Sequence, residues 1–128
     1  MTGLTGYEGT VMVVDDYDDI RRLICMQLQC KGYRVLEAAN GEEAVELATR
    51  SCPGLILMDL SMPVMDGYEA TRRIKALPGF CEVPVVAISA FCDPSNNQKA
   101  LEAGCVECVS KPIDFRSFDR LVSRYLQV

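Results

Sequence analysis

Apolar residues along this chain follow two rhythms that take turns. Val11-Met12-Val13-Val14, Leu55-Ile56-Leu57-Met58 and Val85-Val86-Ala87-Ile88 are short unbroken runs, and each ends in a carboxylate or a hydroxyl. Runs of this kind between turn signals predict strands buried on both faces, as in a parallel sheet. Tyr33 to Ala38 alternates and is rich in strand formers, and Val106 to Ser110 is a further short run, so both read as strands. Between the strands the period changes to that of a helix. Ile20, Leu23, Ile24, Gln27 and Leu28 share one face, with Arg21 and Arg22 between them, and Ala44, Val45, Leu47 and Ala48 share another. Phe115, Phe118, Leu121, Val122 and Tyr125 form the apolar face of a last helix.

The punctuation agrees with these periods. Asn40 with Glu43, and Asp66 with Glu69, have the spacing of an N-cap and an acid three residues on. Asp93-Pro94 sets a cap before a proline at the first helical position, and Asp114 caps the last helix. Lys31-Gly32, Pro78-Gly79 and Gly104 close helices. The result is five strands alternating with five helices, which implies a parallel sheet covered on both faces. Right-handed crossovers and short connections favour a doubly wound sheet, and five strands fit the order 2-1-3-4-5. The ligand crevice of that arrangement lies between strands one and three, at the carboxyl edge.

At 128 residues the chain suits one domain: a loose tail over residues 1–9, then a globular domain over 10–128. A net charge of −5 with scattered Lys and Arg argues against a nucleic-acid surface. No apolar run reaches the length of a membrane span, and the start lacks the pattern of a signal peptide, so a soluble intracellular protein is expected. Seven cysteines, an odd number, suit a reducing compartment, where they pack as small apolar residues. Cys105 and Cys108 form the single C-x-x-C; with no His in the chain, it falls short of a zinc site.

The candidate chemistry collects at one edge. Strand one delivers Asp15 and Asp16, strand three Asp59, strand four Ser89 and strand five Lys111. Three neighbouring carboxylates repel unless a cation neutralises them, and a donor set of oxygens alone selects a hard ion, Mg²⁺ or Mn²⁺. A metal with a flanking ammonium and a hydroxyl suits a phosphoryl group. A carboxylate can itself be the nucleophile, and Asp59 on the central strand best faces both the metal and Lys111.

At these residues the chain resembles the receiver domain of two-component response regulators, the CheY-like branch of the flavodoxin-like folds. The matching pieces are Val13-Val14-Asp15-Asp16, the stretch Met58 to Gly67, Ile88-Ser89-Ala90 and Ser110-Lys111-Pro112. The resemblance spans Thr10 to the C-terminus. It implies that Asp59 takes a phosphoryl group from the phosphohistidine of a histidine kinase or histidine phosphotransfer protein. It also implies that Asp15, Asp16, Asp59 and the backbone carbonyl of Ser61 hold Mg²⁺. Lys111 would pair with the phosphoryl oxygen ahead of a cis Pro112 bond, and Ser89 would carry the switch to helix four, strand five and helix five. That face would dock a downstream protein target. A cytoplasmic protein, a monomer or weak dimer, with no direct nucleic-acid or membrane contact, is expected, either alone or as one piece of a larger regulator. Receivers usually have an aromatic residue three positions before the lysine; here it is Cys108. Phe91 stands where family members tune hydrolysis, and its bulk is expected to hinder the attacking water.

Other functions fit less well. A phosphatase with an aspartate nucleophile wants a second acid two residues on, where this chain has Ser61. A degenerate receiver that only binds partners would be expected to lose the acidic pair, the acceptor or the lysine. A flavin binder wants a Ser/Thr-rich phosphate loop after strand one, where Asp15-Asp16 would repel a phosphate.

Overall fold

The computed structural model describes residues 9–51, 53–62, 65–80, 82–90 and 92–126. The expected tail up to Glu8, the motif residues Pro63 and Val64, Cys52, Cys81 and Phe91 therefore lie outside the described residues, as do the last two positions. Ten elements alternate strictly: β1 Thr10–Val14, α1 Asp18–Cys30, β2 Arg34–Ala38, α2 Gly41–Arg50, β3 Leu55–Asp59, α3 Gly67–Lys75, β4 Val85–Ser89, α4 Pro94–Ala103, β5 Glu107–Ser110 and α5 Phe115–Tyr125. All strand pairs are parallel and the order is β2-β1-β3-β4-β5. The predicted doubly wound fold is the observed one, and the element ends differ by a residue or two.

The unbroken apolar runs explain the layering. Alternate side chains of a strand point to opposite faces. Met12, Val14, Ile56, Met58, Val85 and Ala87 face one way and pack with Ala44, Ala48, Ala70, Ile74 and Ala100 of α2, α3 and α4. Val11, Val13, Leu55, Leu57, Val86 and Ile88 face the other way and meet Ile24, Leu28, Phe118, Leu121 and Val122 of α1 and α5. β1, β3 and β4 are buried along their whole length. β2 and β5, at the sheet edges, are only partly covered.

The caps hold as expected. Asn40, Asp66, Asp93 and Asp114 accept hydrogen bonds from the backbone N–H of Glu43, Glu69, Asn96 and Arg116. Glu43 reaches back to the N–H of Ala39, which closes the box one residue before its cap. Gly104 ends α4 with φ +117, a conformation that favours glycine.

The buried face of α1 departs from its sequence pattern. Ile20 and Leu23, expected in the core, are 41% and 50% exposed, whereas Arg21 is buried with Ile24, Cys25 and Leu28. The helical period holds with its phase rotated, because the Arg21 guanidinium reaches the buried Asp15 carbonyl at the end of β1 and pairs with Asp18 and Glu37. Among the cysteines, Cys25 and Cys105 are buried, as expected, but Cys30 at the end of α1 is exposed.

Candidate functional site

β1 and β3 lie side by side in register, Val14 opposite Met58, so the residues that follow them emerge together. Asp15 and Asp59 are both 2% exposed. Carboxylate oxygens of Asp15, Asp16 and Asp59 lie within 4.8 Å of one another. Lys111 Nζ approaches Asp59 Oδ2 at 3.4 Å and Asp15 Oδ2 at 3.7 Å. Ser89 is buried and stands opposite Ser110, and its carbonyl accepts from the N–H of Lys111 at 2.8 Å. The five residues expected at one edge are thus at one edge. The Lys111–Pro112 peptide bond is cis.

Asp15 and Asp59 are each held by the main chain around them. Asp15 Oδ1 accepts from the N–H of Tyr17 at 2.9 Å, and Asp59 Oδ1 accepts from the N–H of Ser61 at 3.1 Å. One oxygen of each carboxylate is thereby fixed while the other faces Lys111. Burial pushes the Asp59 carboxyl up to about 6; Asp15 adds to the rise, while the Ser61 N–H and the Lys111 ammonium work against it.

Asp16 gives the sign that the cluster suits a cation. Its Oδ1 is a buried oxygen without a hydrogen-bond partner among the described residues. A buried acceptor left unpaired is costly, and carboxylate oxygens converging on one point suit a hard divalent ion. The residues present therefore fit Mg²⁺ or Mn²⁺, with Asp15, Asp16 and Asp59 as the side chains able to hold it.

Two supporting residues were not legible as such in the sequence. Arg21 donates to the main-chain carbonyl of Asp15 at 2.8 Å, to Asp18 at 2.7 Å and to Glu37 at 3.0 Å, and so clamps the end of β1 from below. Its signal was an arginine amid the apolar positions of a helix, with an acid near the end of the neighbouring strand. Gly67 begins α3 against the backbone of β3, where a Cβ would lie 2.2 Å from the carbonyl oxygen of Asp59. Its N–H donates to the carbonyl of Leu60 at 3.2 Å. Only a residue without a side chain lets α3 start this close to the acidic cluster. Asp66 is a cap, as the sequence suggested, and Met62 and Met65 are buried in the core.

Comparison with known proteins agrees with this geometry. The family model for the response regulator receiver domain matches residues 11–123. The polar-differentiation response regulator DivK of Brucella anthropi is 32% identical over 117 residues, which cover 91% of this chain and 95% of that one. The sensor histidine kinase RcsC of Salmonella typhi is 33% identical over 117 residues, which are only 12% of its length. Among solved structures, the chemotaxis protein CheY4 of Vibrio cholerae superposes with a TM-score of 0.89 at 28% identity, covering 92% of this chain and 98% of that one. A receiver domain from a Pseudomonas aeruginosa sensor histidine kinase, described with a magnesium ion coordinated in its active-site cleft, gives 0.86 at 32% identity, covering 94% and 98%.

Proposed function

Because this chain belongs to the response regulator receiver family of two-component systems, we propose that Asp59 is its phosphoacceptor and that residues 10–128 act as a phosphorylation-controlled switch. The observation that carries this reading is the Asp59 carboxylate, buried between Lys111 and the Asp15-Asp16 pair, with one oxygen fixed and the other turned to the cleft.

The free Asp59 oxygen attacks phosphorus in line, the N–P bond of a phosphohistidine breaks, and the imidazole leaves with the electron pair and takes up a proton. Lys111 exchanges its contact with Asp59 for one with a phosphoryl oxygen, and Ser89 donates a hydrogen bond to another. A bound Mg²⁺ would supply positive charge to the phosphoryl oxygens, held by Asp15, Asp16, Asp59 and the backbone carbonyl of Ser61. The Ser61 N–H keeps Asp59 in the rotamer that presents its other oxygen. The donor is a histidine kinase or histidine phosphotransfer protein. The domain is no classical enzyme; it catalyses only its own phosphorylation and slow dephosphorylation. The switched surface is that of α4, β5 and α5, which would dock a protein target in the cytoplasm. Among the described residues no helix is long and apolar enough to cross a membrane.

Intact mass after incubation with acetyl phosphate and Mg²⁺, beside Asp59→Asn, tests this. One phosphoryl group on the natural chain, dependent on Mg²⁺ and absent from the variant, supports the reading. An unmodified protein, or a variant modified equally, overturns it.

A further inference from the structure

α3 is seated firmly beside the acidic cluster. Gly67 packs so closely that a Cβ there would lie 2.2 Å from the Asp59 carbonyl oxygen. Thr71 Oγ1 donates to the carbonyl of Gly67 at 2.7 Å, and Ala70, Thr71 and Ile74 are buried. Tyr68 follows Gly67 directly, and its half-buried ring packs against the core that α3 shares with α4. α4 is seated differently at its two ends. Its buried residues, Ala100 and Ala103, lie in its second half, and just beyond it the Cys105 sulfur meets Thr71 Oγ1 at 3.8 Å. In the first half Pro94, Ser95, Asn97, Gln98 and Lys99 are exposed and Asn96 is half-buried. That half is tied to α3 through Asn96, whose Oδ1 accepts from the Tyr68 hydroxyl at 3.4 Å. Ser89 ends β4, and Asp93, four residues on, caps α4. A movement of Ser89 toward Asp59 therefore pulls on the loosely packed end of the helix.

We propose that the Tyr68 hydroxyl is a latch on the phosphorylation switch: it holds the first turn of α4 against α3 in the unphosphorylated protein and lets go when Ser89 turns to the phosphoryl group. This rests on Asp59 being the acceptor. The bond is already long, so a shift of roughly half an ångström breaks it. Its two partners are held unequally, since α3 is fixed against β3 while the start of α4 is free to swing about its buried second half. A hydrogen bond made in one state and lost in the other opposes the change by its own strength. Tyr68 thus sets how readily Asp59 is phosphorylated without touching the reacting atoms, and is a positioning residue. Burial holds its hydroxyl above the ordinary range, so it remains a protonated donor at neutral pH.

The test uses the full chain, Mg²⁺ and fluoroberyllate, a mimic of the phosphoryl group on a carboxylate. Tyr68→Phe keeps the ring and removes the donor. Titration calorimetry should show it binding fluoroberyllate roughly three- to tenfold tighter than the natural chain. Asn96→Ala should tighten binding by a similar factor, and the double variant should add nothing further. Amide exchange in the first two turns of α4 should quicken severalfold when the natural chain binds fluoroberyllate. In Tyr68→Phe it should be fast from the outset and change little. A purely structural hydroxyl would lower the melting temperature and leave fluoroberyllate affinity unmoved. A natural chain that binds the mimic while Tyr68→Phe binds it no tighter overturns the latch alone. A natural chain that binds no fluoroberyllate overturns the acceptor reading and the latch with it.

Discussion

The guanidinium of Arg21 donates to the main-chain carbonyl of Asp15 at 2.8 Å, and this bond ties α1 to the end of the strand that carries the acidic pair. The same group holds Asp18 and Glu37. Replacing Arg21 by Met leaves that carbonyl without its donor, while Asp18 and Glu37, both exposed, stay solvated. The expected loss is about 1–3 kcal/mol in urea unfolding. Divalent-metal affinity, followed by calorimetry, falls about tenfold or more, because the Asp15 backbone is no longer held. Unchanged metal binding in a folded variant would show that Asp15 keeps its place without the clamp.

Asp59→Asn should stabilise the protein in metal-free buffer at pH 7.5. The folded-state carboxyl sits at about 6, above the ordinary unfolded value near 4, so the folded state binds this proton more tightly. The group therefore adds most stability below about pH 4, loses it as the pH rises through 6, and leaves a cost above that. With allowance for solvent screening at the cleft, removing the charge gains about 1–2 kcal/mol. A thermal melt with and without Mg²⁺ checks this: the advantage of the variant should shrink or reverse with metal. A variant less stable than the natural chain in metal-free buffer would refute the argument that burying this charge is costly.

Lys111→Met should separate metal binding from phosphoryl uptake. The ammonium contacts both Asp15 and Asp59, so it competes with a divalent cation for the same carboxylates. Without it, Mg²⁺ binds several-fold tighter, while the rate of labelling by acetyl phosphate drops about a hundredfold or more. Weaker metal binding in the variant would mean that Lys111 organises the acids and does not compete for them.

Gly67→Ala places a methyl carbon 2.2 Å from the carbonyl oxygen of Asp59, an obstruction made of backbone and not of a side chain that can swing away. The expected cost is about 2–4 kcal/mol in denaturant unfolding, with reduced phosphorylation in the fraction that folds. Gly32, where nothing lies within 4 Å but φ is +94, is the comparison. Alanine there is strained by its backbone angle alone and should leave phosphorylation intact.

The strands, their order and the convergence of Asp15, Asp16, Asp59, Ser89 and Lys111 were legible because each rests on a local rule. An unbroken apolar run means burial on both faces, and parallel strands bring all their carboxyl ends to one edge. The roles of Arg21 and Gly67 were not, since each depends on what a neighbouring element places beside it. A helix period locates a face to within about one position, and the buried arginine moved that face away from Ile20 and Leu23.

The sheet order has a consequence for how tightly the parts of the site are held. β1 and β3, which carry the acids, have a hydrogen-bonded strand on either side, whereas β5, which leads to Lys111, has one neighbour. Local opening follows such pairing. Backbone amides of Val13 and Leu57 should exchange with deuterium only on global unfolding, and those of Cys108 and Val109 by lower-energy openings. The acids sit on the stiff half of the molecule and the lysine on the pliable half, so strain imposed at the cleft relaxes outward toward β5 and not back into the centre.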